Sequence, residues 1–523
     1  MIERARSDNT GISIVAAPAS DDRIVASARP VAVFIGRTCA GALHEPVAIE
    51  SYSAFERLFG GSPNGNGLAV AVRQFFEHGG QRAVVVRVAN RARCGYIELA
   101  TDHAPVSLIS VNPGSAETLR ASVDYDGIDT QDAFNLTVQR MDTQGNLIAD
   151  QELYPQVSID PAAVRFVGRV LEHSALVRLQ VTATDQPLAR PREMRADLTT
   201  SAIAYVPMTA RGDDGMPLSD YDLIGSDRKA TGLFALESLA QFDFLYAARE
   251  ANGEGPGAAF VVAAEMYCQR RNAMLVVDPP ASCTDVDSLA AWRAHTQHVG
   301  FSSLTYFPAV YRRGERAAPA SAAGAIVGVL CRHDEREHVF ASLADDTRQN
   351  SAALHRDWLP MCDVSADEAV QLLKLGVNPL VRGQQRRLLF PGVVTCANLG
   401  DRSSGSLTAQ RLIKFVLRQI EFGTRWAVFA DNDPTVWRAV ERQVGDFMRS
   451  MAAAGAFEAH EGTPGWSVRC DAATNDDSLV ANAAIRLLVG FRPRDIRTPL
   501  MYIISQRQDG TSVVRTALRG DER

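Results

Sequence analysis

Residues 30–37 read PVAVFIGR, an apolar run closed by a glycine and an arginine, and this pattern is typical of a buried strand. Residues 45–61 read EPVAIESYSAFERLFGG. The first part of this stretch predicts a short strand, and the second part predicts a helix that two glycines stop. The helix is indicated by aromatic side chains at i, i+3 and i+7, namely Tyr52, Phe55 and Phe59.

Residues 67–88 continue the pattern with GLAVAVRQFFEHGGQRAVVVRV. Four apolar residues mark one face of a second helix: Leu68, Val72, Phe75 and Phe76. The dipeptide Gly79-Gly80 predicts a left-handed helix cap, and the run AVVVRV that follows predicts a fully buried strand. Residues 30–88 therefore predict a strand, two helices and a strand, which is the beginning of an α/β layer.

The middle of the chain contains two regions of different periodicity. Residues 95–195 alternate apolar and polar side chains, as in FNLTVQRM (134–141) and ALVRLQVTA (175–183), and turn signals recur between these runs. We expect a mostly β insert here, with one helix at about 161–172. Residues 220–380 return to alternating helical and strand-like patterns, so they predict a further α/β region.

The last section predicts two long helices. Apolar residues share one face of the first helix, and Gly423 ends it. RWAVFA (425–430) then predicts a buried strand, and Asp433-Pro434 predicts the start of the second helix, with an aspartate cap and a proline in the first turn. Six residues form the expected core stripe of the second helix: Trp437, Val440, Val444, Phe447, Met448 and Met451.

Both ends of the chain carry short β-prone runs outside the expected core. GISIV (11–15) is followed by a polar, turn-like stretch. Near the other end, WSVRCD (466–471) and PLMYIISQ (499–506) predict strands, and SVVRTAL (512–518) follows Asp509-Gly510 as a second strand-like tip. A strand-like tip on a polar lead is suited to pairing with another sheet.

Composition excludes several classes of protein. The chain has 523 residues with 54 Lys and Arg against 61 Asp and Glu, which gives a formal charge of −7. An acidic chain lacks the positive surplus of a nucleic-acid coat, and 46% apolar residues exclude a disordered chain. No apolar run reaches the roughly 20 residues of a membrane helix, and the start lacks a secretory apolar region. We therefore expect no nucleic-acid partner, no direct membrane insertion, synthesis in the cytosol, and eight free cysteines.

Motifs for catalysis or cofactor binding are absent from the sequence. GEGPG (253–257) and GGSPNGNG (60–67) lack the Lys-Ser/Thr of a phosphate loop, and there is no nucleophile elbow. His295 and His298 share a helix face without a third metal ligand. We therefore predict no catalytic residue, no metal site and no cofactor. An α/β enzyme acting on a nucleotide or a sugar stays open as an alternative, since helices and strands alternate.

One segment is strongly basic on this acidic chain. Between residues 382 and 425 there are eight basic residues against Asp401 and Glu421, a local charge of +6. The basic residues are Arg382, Arg386, Arg387, Arg402, Arg411, Lys414, Arg418 and Arg425. The segment is either a solvated helix face or a docking surface for an acidic partner.

The ordered motifs at 30–37, 45–61 and 67–88 resemble the amino-terminal signature of tail sheath proteins of contractile injection machines. These machines include contractile phage tails, R-type bacteriocins and extracellular contractile injection systems. DDGMPLSDYDLIG (213–225) resembles a central segment of that family, and RLIKFVLRQIEFGTRWAVFADNDPTVWRAVERQVGDF (411–447) resembles its end. The resemblance covers roughly residues 10–95 and 200–507.

The resemblance implies a non-catalytic structural subunit. Such a subunit would polymerise in stacked rings around an inner tube by exchanging terminal β-strands, and would contract by rigid-body repacking to drive the tube through a target envelope. Its partners would be other copies of itself, the inner tube protein, and baseplate and tail-terminator proteins. The particle would be assembled in the bacterial cytoplasm as part of a phage tail or an extracellular contractile particle.

The implied fold is a mixed α/β core with flanking helices, built from the N- and C-terminal segments, with an inserted mostly β domain and extended terminal arms. Residues 1–29 would form an N-terminal arm and 509–523 a C-terminal arm. Residues 30–95 would join 385–508 in a discontinuous inner domain. The outer domain would be 96–195 and the middle α/β domain 196–384.

Three groups of residues follow as candidate assembly sites. The inter-subunit arms would use Ile12, Ile14, Val15, Val513 and Val514. The sheet edge that receives arms would be Met501, Tyr502, Ile503 and Ile504. The basic candidates for facing the tube are Arg411, Lys414 and Arg418. A related tail or baseplate component that does not contract is the main alternative.

Overall fold

The computed structural model describes residues 29–516 and Ile24, apart from short gaps. The gaps are 62–66, 143–146, 181–187, 198–199, 251–253, 296–299, 315–318, 344–351, 384–386, 398–404, 460–463, 477–478, 480–483, 495, 497 and 509. The chain divides into two compact units. The first is Arg29–Arg411, and the second is Leu412–Arg523 together with Met1–Ala28.

Helices and strands alternate through most of the chain. The helices are α1 (Tyr52–Phe59), α2 (Gly67–Glu77), α3 (Val167–Leu171), α4 (Asp220–Ile224), α5 (Ala258–Arg270), α6 (Val286–His295), α7 (Ala323–Arg336), α8 (Ala366–Lys374), α9 (Leu407–Gly423) and α10 (Pro434–Ala453). The strands are β1 (Ala32–Gly36), β2 (Pro46–Ile49), β3 (Ala83–Arg87), β4 (Tyr96–Leu99), β5 (Val106–Ser110), β6 (Leu119–Asp124), β7 (Ala133–Met141), β8 (Ile148–Ser158), β9 (Val177–Gln180), β10 (Arg195–Asp197), β11 (Thr200–Ile203), β12 (Val206–Pro207), β13 (Phe244–Ala247), β14 (Met274–Val277), β15 (Ser303–Phe307), β16 (Val310–Arg312), β17 (Trp358–Pro360), β18 (Asn378–Pro379), β19 (Val381–Arg382), β20 (Leu388–Leu389), β21 (Trp466–Arg469), β22 (Ile485–Phe491), β23 (Leu500–Arg507) and β24 (Gly510–Thr516).

The first unit is organised by a mixed sheet with strand order β18-β15-β14-β13-β1-β3-β2. β2 is antiparallel to β3, and the other neighbours are parallel. The predicted strands at 30–37 and 83–88 are β1 and β3, and every residue of both is buried. Helices α2 and α7 contribute to the core on one face of the sheet, and α5 contributes to the core on the other. The expected mixed α/β fold is confirmed.

The pairing partners of β1 differ from the predicted domain organisation. We expected residues 30–95 to join 385–508 in one domain. Instead β1 pairs with β13, in the register Val33 with Leu245, so residues 30–95 share their sheet with strands from the middle of the chain. Parallel pairing between distant segments leaves no trace in local periodicity, because any buried strand offers the same pattern.

The insert after β3 is mostly β, as predicted from its alternating pattern. It contains the sheet β4-β5-β9 and the sheet β12-β6-β7-β8. Phe134, Leu136 and Val138 alternate along β7 and point into the core that the two sheets share. Among the described residues of the insert, α3 is the one helix, and it is shorter than the expected 161–172.

The second unit combines α10 and the end of α9 with a terminal sheet of order β21-β22-β23-β24. All six residues of the predicted stripe of α10 are buried. Asp433 caps the helix through hydrogen bonds from Thr435 and Val436, and Pro434 is its first residue. The predicted strand at 425–430 is wrong, because Arg425–Phe429 form a 3₁₀ helix and Phe429 is 89% exposed. A short apolar run does not distinguish a buried strand from an exposed turn.

Helices α2 and α7 pack so closely that two glycines of α7 are required. A Cβ atom at Gly324 would overlap the carbonyl oxygen of Ala71, and one at Gly328 would lie 2.5 Å from the carbonyl oxygen of Phe75. In both cases the obstacle is the backbone of α2, which cannot move aside like a flexible side chain.

We predict that Gly324→Ala and Gly328→Ala each lower the free energy of unfolding by about 1–3 kcal/mol, because the added methyl overpacks the helix interface. Gly445→Ala is the control. A Cβ there meets nothing within 4 Å, so this substitution within α10 should be neutral or stabilise by about 0.5–1 kcal/mol. Urea denaturation checks both results, and wild-type stability of Gly324→Ala would contradict the packing.

His78 is fully buried and neutral at the end of α2. Its Nδ1–H donates to the carbonyl of Gln74 at 2.6 Å, and its Nε2 accepts the N–H of His355 at 2.8 Å. Burial lowers the pKa of His78 to about 3 from an ordinary value of 6.5. The unfolded chain therefore binds a proton below pH 6.5 that the folded chain does not bind until about pH 3.

We predict that the wild-type protein loses about 2 kcal/mol of stability through His78 between pH 7 and pH 5, since stability rises with pH where the unfolded state holds more protons. His78→Gln should remove that part of the pH dependence in urea denaturation at the two pH values. His103→Gln, at an exposed position, serves as the control and should leave the dependence unchanged. An equal pH dependence in His78→Gln and the wild type would refute this assignment.

Candidate functional site

The terminal sheet is the region where the sequence places most assembly residues. Its strands are antiparallel throughout, and β23 lies between β22 and β24. Leu500, Met501 and Ile504 of β23 are buried. Strand β21 of the sheet lies against α10, whose core stripe is buried.

The prediction that β23 forms an open sheet edge, able to receive an arm of another copy, is wrong for the single chain. Met501, Tyr502, Ile503 and Ile504 lie on β23, which has a hydrogen-bonded strand on each side. Val513 pairs with Ile504, and Val514 pairs with Ile503, so these predicted arm residues complete the sheet of their own chain. The physical reason is the tight connection. Arg507 opposes Gly510 across the turn, and Gly510 has a φ of 141°, which favours glycine.

Gln506 ties this hairpin to the end of α9. Its Nε2 donates to the carbonyl of Glu421 at 2.9 Å and to Oγ1 of Thr424 at 2.8 Å, and its Oε1 accepts from the Thr511 hydroxyl at 2.6 Å. Sequence reasoning missed Gln506. The available signal was an amide in an otherwise apolar strand, because a buried amide is retained only where its hydrogen bonds are made.

The open edges of the sheet are β21 and β24. Among the described residues, no further strand pairs with the outer side of either one. β24 is largely exposed along its length, and Val514 is 57% exposed. An edge strand presents unpaired N–H and C=O groups, and an extended segment of another chain can pair with them.

The N-terminal arm residues Ile12, Ile14 and Val15 lie outside the described residues. The nearest described position is Ile24, which belongs to the second unit. A Cβ atom added at Gly423 would lie 2.5 Å from Cγ1 of Ile24, so Ile24 sits against the last residue of α9.

The basic residues proposed to face a tube are not exposed. Arg411 is 3% exposed, and Lys414 and Arg418 are each 6% exposed. The expectation of a solvent-facing basic surface at these three positions is therefore wrong for the chain by itself. The sequence shows that these three residues share one face of α9. It does not show that this basic face is buried, as the apolar face is.

Arg411 forms a buried ion pair with Asp334 of α7. Its guanidinium also lies 5.9 Å from the centre of the Phe244 ring in β13. Burial alone would raise the pKa of Asp334, but the Arg411 guanidinium outweighs it and holds that pKa below its ordinary value. The pair therefore anchors the start of α9 within the first unit.

A second buried cluster lies at the carboxyl ends of β13, β14 and β15, the usual position of ligand sites in parallel sheets. A cavity of about 210 Å³ opens there. Asp278 accepts hydrogen bonds from Tyr246 at 2.8 Å, Arg249 at 2.9 Å, Ser321 at 2.8 Å and the hydroxyl of Tyr306. Desolvation raises the pKa of both tyrosines well above the ordinary value. These hydrogen bonds tie the ends of β13 and β15 to the residue that follows β14, so the buried carboxylate has a structural role.

Three further properties concern metal, membrane and cysteine chemistry. In the part of the chain that the structure describes, no group of three or more His, Cys, Asp or Glu side chains could hold a metal ion. Among the same residues, no helix has the length and apolarity needed to span a bilayer. The eight cysteines are free in the single chain, as expected.

Comparison with known proteins identifies the fold. No protein-family model matches the sequence, and no curated protein matches it. Solved structures do match. The chain is similar to a sheath tail protein from Listeria innocua, with a TM-score of 0.60, 13% identity, and coverage of 93% of this chain and 97% of the other. A sheath tail protein from Desulfitobacterium hafniense matches with a TM-score of 0.54, 11% identity, and coverage of 97% and 100%.

A third match is an assembled particle. The structure is a sheath complex of an extracellular contractile injection system, in the contracted state, with a TM-score of 0.51. The identity is 12%, and the match covers 99% of this chain and 100% of the other. These likenesses show that the chain folds as tail sheath proteins do, over nearly its whole described length, including the parts where the sequence resemblance was absent.

We predict that Arg411→Met lowers the free energy of unfolding of the isolated chain by about 3–5 kcal/mol, because it leaves the Asp334 carboxylate buried without its partner. Arg425→Met is the control, since that side chain is exposed, and should change stability by about 0.5 kcal/mol or less. Pairing Arg411→Met with Asp334→Asn should recover part of the loss. If Arg411→Met has the same urea midpoint of unfolding as the wild type, the ion pair between Arg411 and Asp334 does not stabilise the fold.

Proposed function

We propose that this chain is a structural subunit of a contractile sheath, which polymerises around an inner tube. The observation that carries the proposal is the likeness of nearly the whole chain to sheath tail proteins, each of which is matched over at least 97% of its own length. A shared domain would give a partial match. Agreement across the core, the insert and the terminal sheet favours a shared architecture of the whole subunit.

The assembly contact that the structure favours is strand addition at an open edge of the terminal sheet. We infer that residues 11–15 of one copy pair with the outer side of β24 in a neighbouring copy. Five residues can form a few backbone hydrogen bonds of about 1 kcal/mol each. Each contact is weak by itself, but the contacts sum along a polymer in which every copy gives and receives one.

Contraction in this proposal is a rigid-body repacking of subunits between two states. The packed core of each unit does not need to change, because a close-packed interior is not continuously deformable. The contacts between subunits instead have two alternative arrangements, one in each state. The driving force is apolar surface buried between subunits in the short state, at about 25 cal/mol per Å². The subunit would act with an inner tube and with baseplate and terminator proteins, in a phage tail or an extracellular particle assembled in the bacterial cytoplasm.

We predict that a variant lacking residues 1–20 folds but does not polymerise. Wild-type protein expressed in Escherichia coli should form long regular sleeves in negative-stain electron microscopy, because each copy can donate its β-prone segment. The truncated protein should keep the wild-type circular dichroism spectrum and elute as a small species on gel filtration.

The control removes residues 517–523 from the other end, which leaves β24 intact, and should polymerise as the wild type does. Sleeves of normal length from the truncation at residue 20 would rule out the N-terminal strand contact. If the wild type forms only short, non-contracting discs or no polymer at all, a baseplate-type component would replace the sheath proposal.

A further inference from the structure

The cavity at the carboxyl ends of β13, β14 and β15, which we call the sheet-end cavity, has an aromatic wall. Tyr246, Tyr306, Phe307 and Trp358 line it, and each is at most 4% exposed. Its volume of about 210 Å³ exceeds the roughly 150 Å³ of an engineered apolar cavity that admits benzene. The sheet-end cavity therefore has room for one planar ring with a small substituent.

The tyrosine hydroxyls that reach this cavity are already hydrogen bonded. Tyr246 donates to Asp278 at 2.8 Å, and the Tyr306 hydroxyl bonds to the same carboxylate. Both rings therefore contribute mainly apolar surface, and Pro279 and Pro280 add to it. A ligand that fits this part of the cavity must have an apolar body.

The charged part of the lining is mainly basic. Arg249 is neutralised by Asp278, to which its Nε donates at 2.9 Å, and Arg73 donates from Nε to Glu77 at 3.1 Å. Arg312 also lines the cavity, but its Nη2 lies 3.9 Å from Oε1 of Glu77, which is too far for a hydrogen bond. In the part of the chain that the structure describes, this is the one ion pair of Arg312.

The carboxylates near Arg312 are committed to other groups. The second oxygen of Glu77 accepts the indole N–H of Trp358 at 2.8 Å. Glu250, which also lines the cavity, pairs with Arg37 at 3.5 Å. Among the described residues, three lining guanidinium groups thus share two carboxylates, and the surplus positive charge lies at Arg312.

The hairpin of β16 and β17 places this surplus charge beside the aromatic wall. Arg312 and Trp358 are directly opposite in the antiparallel register, so their side chains lie on the same face of the hairpin. Trp358 is buried, whereas the Arg312 side chain is 34% exposed. A ring packed against Trp358 would therefore bring its substituent to Arg312. The planar guanidinium fork matches a carboxylate in shape and charge.

We propose that the sheet-end cavity binds a small aromatic monocarboxylate, with its ring against the aromatic wall and its carboxylate on Arg312. The single charge of such a ligand matches the single surplus charge of the lining. Inorganic phosphate would leave the apolar wall without a partner, and a neutral ring would leave Arg312 without one. All these residues belong to the first unit, so the inference goes beyond the proposed function and does not depend on assembly.

The test titrates benzoate into the full-length chain by isothermal titration calorimetry at constant ionic strength. Benzyl alcohol supplies the ring without the charge, and inorganic phosphate supplies the charge without the ring. Arg312→Gln removes the surplus charge. Arg313→Gln is the matched control, because Arg313 is the next residue, is exposed and is not part of the cavity lining. Ala281→Trp, at an exposed lining position, fills the cavity and keeps every arginine.

We expect the wild type to bind benzoate with a Kd of about 1 mM or lower, at least about ten-fold more tightly than benzyl alcohol or phosphate. Arg312→Gln should weaken benzoate binding about ten-fold or more, since the ligand then loses its charge-assisted hydrogen bonds, and Arg313→Gln should leave it unchanged. Ala281→Trp should abolish binding and keep the wild-type circular dichroism spectrum.

Three results would overturn the inference: a wild type that does not bind benzoate, equal affinity for benzoate and benzyl alcohol, or benzoate binding that Ala281→Trp leaves intact. If Arg312→Gln fails to fold, the comparison of ligands and the Ala281→Trp variant decide the question without it. Each of these results leaves the proposed function standing, because none of them measures polymerisation.

Discussion

The parallel pairing of β1 with β3 on one side and with β13 on the other is the constraint on which the first unit depends. All five residues of β1 are buried, so its hydrogen bonds can be made only with neighbouring strands. The register sets which side chains meet on each face. Phe34 opposes Tyr246, and the two rings meet edge to face at 6.2 Å. A slip by one residue would exchange the faces of β1 and place its side chains against the wrong helices.

This pairing also explains where the β insert leaves and rejoins the seven-stranded sheet. The chain leaves the sheet after β3, forms the whole β insert, and returns to pair β13 against β1. The insert is therefore an excursion from the interior of the sheet, between the two neighbours of β1, and has a separate core of its own. The late segment adds the terminal sheet in the second unit, whose core is built around α10. Each part has its own closed core, and unpaired backbone N–H and C=O groups remain at the edge strands of the sheets.

Local features of the sequence predicted local features of the structure. The strands β1 and β3 and the core stripe of α10 all follow from periodicity, and the Asp433-Pro434 start follows from capping chemistry. Features that depend on distant partners were not predictable in this way. The burial of Arg411 depends on Asp334 in another helix. The interior position of β23 is different, because the Asp509-Gly510 turn signal favours a local hairpin to β24 over strand exchange, and the prediction of a receiving edge overlooked that signal.

The subunit has completed cores and open strand edges, and we propose that copies of the chain complete one another at these edges. A cryo-electron microscopy reconstruction of the polymer at side-chain resolution tests this most directly. We expect density for residues 11–15 of one copy to run along the outer side of β24 in the next. A reconstruction in which that edge faces solvent, with the N-terminal segment of every copy folded on its own body, would contradict it.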